Sequence, residues 1–259
     1  MAGIQLRLFM FLDYDGTLVP IAGTPDQAVP PPALLQLLQK LVGLEGLRVA
    51  VVSGRDLQDL QSLLPVRDLY LAACHGGLIK VPGSEPYTLA GQADRRQLDR
   101  LARAAEALIA DRRGFLVEPK ALSLAFHYRL ANPLEVTPVL QRFKILQKQH
   151  CPPPDWEMIP GNKVLEVRPA GVNKGTAVKH LLAQWPGAFP VYIGDDVTDE
   201  DAFRALSGRG RTILVANRPR PTAADQCLTR AAILVFLHHL AEKGPGYFFS
   251  TLKGRLPEK

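Results

Sequence analysis

Two carboxylates, Asp13 and Asp15, follow an apolar run of strand length at residues 7–12. Open α/β sheets hold their ligands at the carboxyl ends of strands, so the pair sits where chemistry is done. On a regular strand residues i and i+2 share a face, and two carboxylates so placed repel unless a cation bridges them. An all-oxygen ligand set favours magnesium, the usual companion of phosphate. The plainer alternative is a turn in which Asp15-Gly16 simply follows a strand. A second apolar run, residues 190–193, leads into Gly194-Asp195-Asp196-Val197-Thr198-Asp199-Glu200-Asp201. Taken singly, this cluster is also what a helix start looks like, because acids favour the first turn. Together the two clusters supply three or four carboxylates for one divalent ion.

Ser53-Gly54-Arg55 follows the apolar run Leu47–Val52 and precedes a helix signal from Asp56. A hydroxyl and exposed amides at a helix start suit phosphate oxygens, which makes Ser53, Gly54 and Arg55 binding candidates, although serine is also a common N-cap. Asn173-Lys174-Gly175 opens another helix. A lysine there is either solvated or, beside an acid cluster and a phosphate, neutralises developing charge. Asn173 is a binding candidate beside it.

The elements that must position these groups are those of an α/β protein. Runs at residues 7–12, Leu47–Val52, 190–193 and Arg211–Val215 are apolar without alternation, as in parallel strands buried on both faces. Helical spacing links Leu34 to Leu41, and Leu57, Leu60 and Leu64. The tripeptides PPP at 30–32 and 152–154 mark loops or a helix start. Within 91–169 the pattern changes. One amphipathic helix carries Leu98, Leu101, Ala105, Leu108 and Ile109, and a second spans 134–149. Strict alternation over 123–129 and 164–168 predicts a sheet with one open face, with Ser123, His127 and Arg129 on one polar row and Glu166 and Arg168 on another. The expected organisation is a Rossmann-like parallel-sheet core, 1–90 plus 170–259, interrupted by an inserted α+β cap at 91–169.

Composition agrees with a globular protein: 259 residues, 47% hydrophobic and 22% charged. Three cysteines far apart suggest reduced thiols rather than disulfides or zinc. The net charge of +6 comes from scattered Lys and Arg, which suits a small anionic substrate better than nucleic acid. No apolar run reaches a membrane span, and the starting LRLFMFL is too short for a secretion signal. A cytoplasmic monomer without membrane or nucleic-acid partners is expected.

These motifs resemble the haloacid dehalogenase superfamily of phosphotransferases and, within it, the trehalose-6-phosphate phosphatases. DYDGTL at 13–18, SGR at 53–55, NKG at 173–175 and GDDVTDEDAF at 194–203 resemble the four superfamily motifs, the last being the most specific. LSLAFHYR at 122–129 and KVLEVRPAGVNKG at 163–175 resemble the family's cap and its return to the core. The resemblance implies that Asp13 attacks phosphorus, that Asp15 serves as acid and base, and that Ser53 and Lys174 bind the phosphoryl group. It also implies magnesium held by Asp13, the Asp15 carbonyl and Asp195, with Asp196 or Asp199 positioning waters. Sugar contacts are implied for Lys120, His127, Arg129 and Glu166, with Arg168 beside them. Cys74-His75-Gly76 and Glu118-Pro119-Lys120 depart from the family where an acid is common, so His75 and Gly76 either touch substrate or shape a loop. Another glycoside phosphate, such as a glycosyl-3-phosphoglycerate, would need further cap cations, and Lys120, Arg129 and Arg168 are available. A phosphosugar-binding module of a synthase would have no use for a nucleophile and an acid. A mutase would transfer phosphate rather than release it.

Overall fold

Five consecutive buried residues, Leu8–Leu12, form the central strand β1 of a sheet that hides both of its faces. The computed structural model describes residues 7–22, 24–91, 94–161 and 163–251, which leaves Leu6, the first residue of the LRLFMFL run, outside the described residues. After β1 come α1 (Pro32–Val42), β2 (Leu47–Val52), α2 (Leu57–Leu63), β3 (Tyr70–Ala73), β4 (Leu78–Lys80) and β5 (Tyr87–Thr88). The middle of the chain contributes α3 (Arg95–Ile109), β6 (Leu116–Pro119), β7 (Leu124–His127), α4 (Pro133–His150), β8 (Trp156–Gly161) and β9 (Val164–Pro169). The last part adds α5 (Lys174–Ala183), β10 (Phe189–Gly194), α6 (Glu200–Leu206), β11 (Arg211–Val215), β12 (Gln226–Leu228), α7 (Arg230–Lys243) and α8 (Pro245–Thr251).

The described residues up to Tyr87 and from Asn173 on make one compact unit, and the described residues between Thr88 and Val172 make another. The first holds an eight-stranded sheet in the order β12-β11-β10-β1-β2-β3-β4-β5. From β12 to β3 the strands are parallel, and β4 returns antiparallel on β3. Alternate residues of β1 serve opposite faces. Leu8, Met10 and Leu12 join Leu38 and Leu41 of α1, Leu60 of α2 and Leu237 and Leu240 of α7 in one apolar cluster. Phe9 meets Trp185 edge-on at 6.0 Å between ring centroids, and Tyr192 of β10 meets Phe203 of α6 at 5.7 Å. Pro32 occupies the first turn of α1, where its missing N–H costs nothing.

The second unit is a four-stranded antiparallel sheet, β6-β7-β9-β8, with α3 and α4 sharing its apolar cluster. Leu124, Phe126, Leu165 and Val167 pack with Leu98, Leu101 and Phe143, and the rings of Phe126 and Phe143 stack at 4.2 Å. The alternation expected over 123–129 is realised only in β7, Leu124–His127. Tyr128 N–H still donates to Lys163 O at 3.0 Å, but Ala131 N–H then turns back to Tyr128 O, so Arg129 lies in a turn and not on the strand. The turn delivers the chain to Asn132, which caps α4. Among the described residues no helix is long and apolar enough to cross a membrane, and Cys74, Cys151 and Cys227 form no disulfide.

Candidate active site

Strands β2, β1 and β10 are parallel neighbours, so their carboxyl ends lie side by side and present Ser53, Asp13 and Asp195 together. Asp13 and Ser53 are buried, at 4% and 2% exposure. Lys174, the first residue of α5, is equally buried, and its Nζ donates to Asp13 Oδ1 at 2.6 Å and to Asp199 Oδ1 at 2.7 Å. Carboxylate oxygens of Asp13, Asp195 and Asp199 lie within 4.8 Å of one another. When all three are ionised, three carboxylates against one ammonium leave two negative charges at a largely buried site. One divalent cation with oxygen ligands balances that count, so the donor set fits magnesium chemistry.

Burial holds the carboxyl of Asp13 well above the ordinary range; the Lys174 ammonium pulls it down, and Asp199 pushes it further up. Asp195 is raised for the same first reason, burial. Burial alone would lower the pKa of Lys174, but Asp13 and Asp199 outweigh it and leave the lysine raised and charged. Asp195 is further held by Thr17, whose hydroxyl donates to Oδ1 at 3.0 Å, and by Arg220, which donates to its backbone carbonyl at 2.8 Å. Gly16 makes this approach possible. Its φ is +92°, and a Cβ there would come within 2.0 Å of Asp195 Oδ2.

The carboxylate of Asp15 is not in this cluster. Arg55 grips it with Nε and Nη2, both at 2.8 Å, while the guanidinium lies 5.1 Å from the centroid of the Tyr14 ring. The expectation that Asp13 and Asp15 share a strand face fails because β1 stops at Leu12 and residues 14–18 form a turn, with Leu18 N–H on Tyr14 O. The Arg55 guanidinium satisfies the second acid. Asp196 is likewise outside the cluster: it is exposed and opens the turn Val197–Asp199, where its N–H donates to Asp199 Oδ2 at 2.8 Å. Asp199, by contrast, is fully buried.

The loop after β3 is tied to the loop after β2. Cys74 N–H donates to Arg55 O at 2.8 Å and His75 N–H to Ser53 O at 2.9 Å, while Arg55 N–H reaches the Ser53 hydroxyl at 3.2 Å. Cys74, His75 and Gly76 all have positive φ, which folds the His75 ring so tightly onto Gly54 that a Cβ there would come within 2.5 Å of it. Asn173 uses its side-chain oxygen to accept from Thr176 N–H, and Thr176 returns the bond in a capping box at the start of α5.

In the second unit, Ser123 donates to Glu166 Oε1 at 2.6 Å and Arg168 pairs with Glu157 at 2.9 Å. His127 contacts Glu118 at 2.8 Å. Register puts Glu166 opposite Ala125, and Lys120 follows β6.

Comparison with known proteins decides the family. The trehalose-phosphatase family model matches residues 11–226, most of the chain. The chain belongs to the trehalose-phosphatase family. A "Trehalose-phosphatase" of Schizosaccharomyces pombe is 33% identical over 243 residues, 88% of this chain but 30% of its own length, so the chain spans less than a third of that curated relative. A "Probable trehalose-phosphate phosphatase" of Sinorhizobium fredii is 35% identical over 218 residues, 83% of this chain and 79% of that protein. The solved C-terminal domain of a Candida albicans trehalose-6-phosphate phosphatase superposes with a TM-score of 0.75 at 29% identity, covering 92% of this chain and 93% of that one. The haloacid dehalogenase-type core expected from the motifs is the fold of this family. Family motifs hold most of the cluster, yet Tyr192, Thr17 and Arg220 were not singled out by residue type. Thr17 sits inside DYDGT and Tyr192 begins YIGDD, each readable there as a neighbour of acids. Arg220, in the loop after β11, carries no local signal.

Proposed function

We propose that this chain hydrolyses trehalose 6-phosphate to trehalose and phosphate, with Asp13 as nucleophile. The observation that carries the reading is the meeting of buried Asp13, Asp199 and Lys174 with half-buried Asp195 beside the carboxyl ends of β1 and β10. Asp13 Oδ attacks phosphorus in line, and the bond from phosphorus to the sugar oxygen breaks as that oxygen takes a proton from Asp15. Asp15 then takes a proton from water, whose oxygen attacks the aspartyl phosphate and frees Asp13 and phosphate. Ser53 and Lys174 hold the phosphoryl oxygens, the lysine offsetting charge that grows in the transition state. Magnesium, with Asp13 and Asp195 as its carboxylate ligands and Asp199 beside it, would screen the phosphate so that an anionic nucleophile can approach. Arg55 fixes the rotamer of Asp15, and Asn173 fixes the start of the helix that carries Lys174.

Sugar selection would fall to His127 and Glu166 on the sheet of the second unit, with Lys120 after β6 and Arg129 in the turn after β7. A phosphoglycerate-bearing glycoside would need cations spare for its carboxylate. Arg168 is already engaged by Glu157, which favours the neutral disaccharide. The test is phosphate release from trehalose 6-phosphate, glucose 6-phosphate, sucrose 6-phosphate and a glucosyl-3-phosphoglycerate, with magnesium and with EDTA. Trehalose 6-phosphate is expected to be the best substrate and EDTA to stop release. An isomeric sugar phosphate in place of free phosphate would indicate a mutase, and no turnover of any member would leave the binding module.

A further inference from the structure

Tyr192 is a fully buried phenol in the middle of β10, beside Phe11 of β1 in register, with its ring packed edge-on against Phe203. A phenylalanine would fill this place as well. A phenolic hydroxyl in such surroundings needs a partner, and its partner is at the site: Tyr192 OH donates to Asp199 Oδ1 at 2.6 Å. The same oxygen accepts from Lys174 Nζ, and the other carboxylate oxygen accepts from Asp196 N–H at 2.8 Å. Three donors therefore lock Asp199, which itself has no exposed surface. Gly194 allows the approach, since a Cβ there would lie 2.3 Å from Asp199 Cγ.

The consequence concerns Lys174, which is shared between Asp13 and Asp199. When Asp13 turns to phosphorus, the lysine keeps its place only if Asp199 keeps its own. We propose that Tyr192 is a positioning residue for phosphoryl transfer: its hydroxyl anchors Asp199, and Asp199 anchors Lys174 against the transferring group. This rests on the phosphatase reading above.

Tyr192→Phe removes one oxygen and keeps the ring, and its melting curve shows whether the fold is intact. Its kcat on the best substrate of the panel is expected to fall about tenfold, the scale of one lost hydrogen bond to a charged group, with KM within about twofold. Magnesium affinity of the free protein, read by titration calorimetry, is expected to stay within about twofold, because the tyrosine acts on the lysine side of Asp199. In an Asp199→Asn background the same change should cost less than about twofold, since its effect runs through that carboxylate. A variant with wild-type kcat overturns the proposal. So does one whose loss lies in KM, one whose magnesium affinity falls as far as its kcat, or one that loses the same factor in both backgrounds. A wild-type protein that releases no phosphate from any panel member overturns the phosphatase reading instead.

Discussion

An alanine at position 16 adds one carbon and aims it at the site. The backbone there has φ +92°, and the new Cβ would come within 2.0 Å of an oxygen of Asp195. Backbone strain of about 1–2 kcal/mol is expected from the left-handed conformation alone. The larger effect falls on catalysis, because Asp195 must move away from Asp13 and from the Thr17 hydroxyl. Gly16→Ala should therefore lose phosphate release by roughly a hundredfold, as misplacement of about 1 Å does elsewhere, while its melting midpoint moves by only a few degrees. Steady-state rates beside a melting curve check it; equal losses in both would mean that Gly16 matters for folding only. The neighbouring acid shows why residue types cannot be read without their backbone. Asp15 was expected beside Asp13 because both were placed on one strand, yet the turn after Leu12 sends its carboxylate to Arg55.

Among the elements, α5 has the most exacting task, since its first residue is Lys174. The capping box of Asn173 and Thr176 decides where that turn begins, so Asn173→Ala is expected to cost about 1 kcal/mol of stability. The same change should lower kcat more than a cap lost from α7 through Thr229→Ala, because Thr229 also caps its helix by side chain but carries no site residue behind it. Denaturant melts and rates on the two variants make the comparison. Elements with a strong pattern were legible in the sequence: β1, β2, β10 and β11 as unbroken apolar runs, α1, α3 and α4 from their spacing. The three-residue strands β4 and β12 and the two-residue β5 bury too little to leave a pattern, and β8 with Pro160 and Gly161 does not resemble a strand by composition. The acid clusters were readable because two strands end in them. Their meeting was not, because the adjacency of β1 and β10 is a property of the folded sheet across more than half the chain. Arg220 was invisible for the same reason.

For the whole molecule, carboxylates held away from water at the site oppose folding when ionised, and a cation bound among them would relieve that cost. Asp13 and Asp195 have pKa values raised by burial above the ordinary 3.8 that they recover on unfolding. Between that value and the raised ones the folded chain holds protons that the unfolded chain has lost. The metal-free protein should consequently gain stability as pH falls through the window, and lose it as pH rises. Magnesium held by these acids would work in the opposite sense, because it would take the ionised carboxylates of the folded chain. At about a hundred times its dissociation constant it should add about 2.7 kcal/mol near neutral pH, and the increment should shrink as protons compete at lower pH. Calorimetric melts with magnesium and with EDTA across pH 4 to 8 read this directly; a pH-independent increment would place the ion away from these acids.

In the proposed reaction Asp13 Oδ attacks phosphorus, with Lys174 at 2.6 Å and Asp195 beside it. Its most direct test is the rate of phosphate release by Asp13→Asn, which keeps the shape of the side chain and a hydrogen-bond acceptor for Lys174 but removes the charge that attacks. With the melting curve showing a folded protein, turnover of trehalose 6-phosphate is expected to fall by at least about a thousandfold. A folded Asp13→Asn protein that keeps more than about a tenth of the wild-type rate would contradict attack by Asp13, because a site that works without its nucleophile does not work through it.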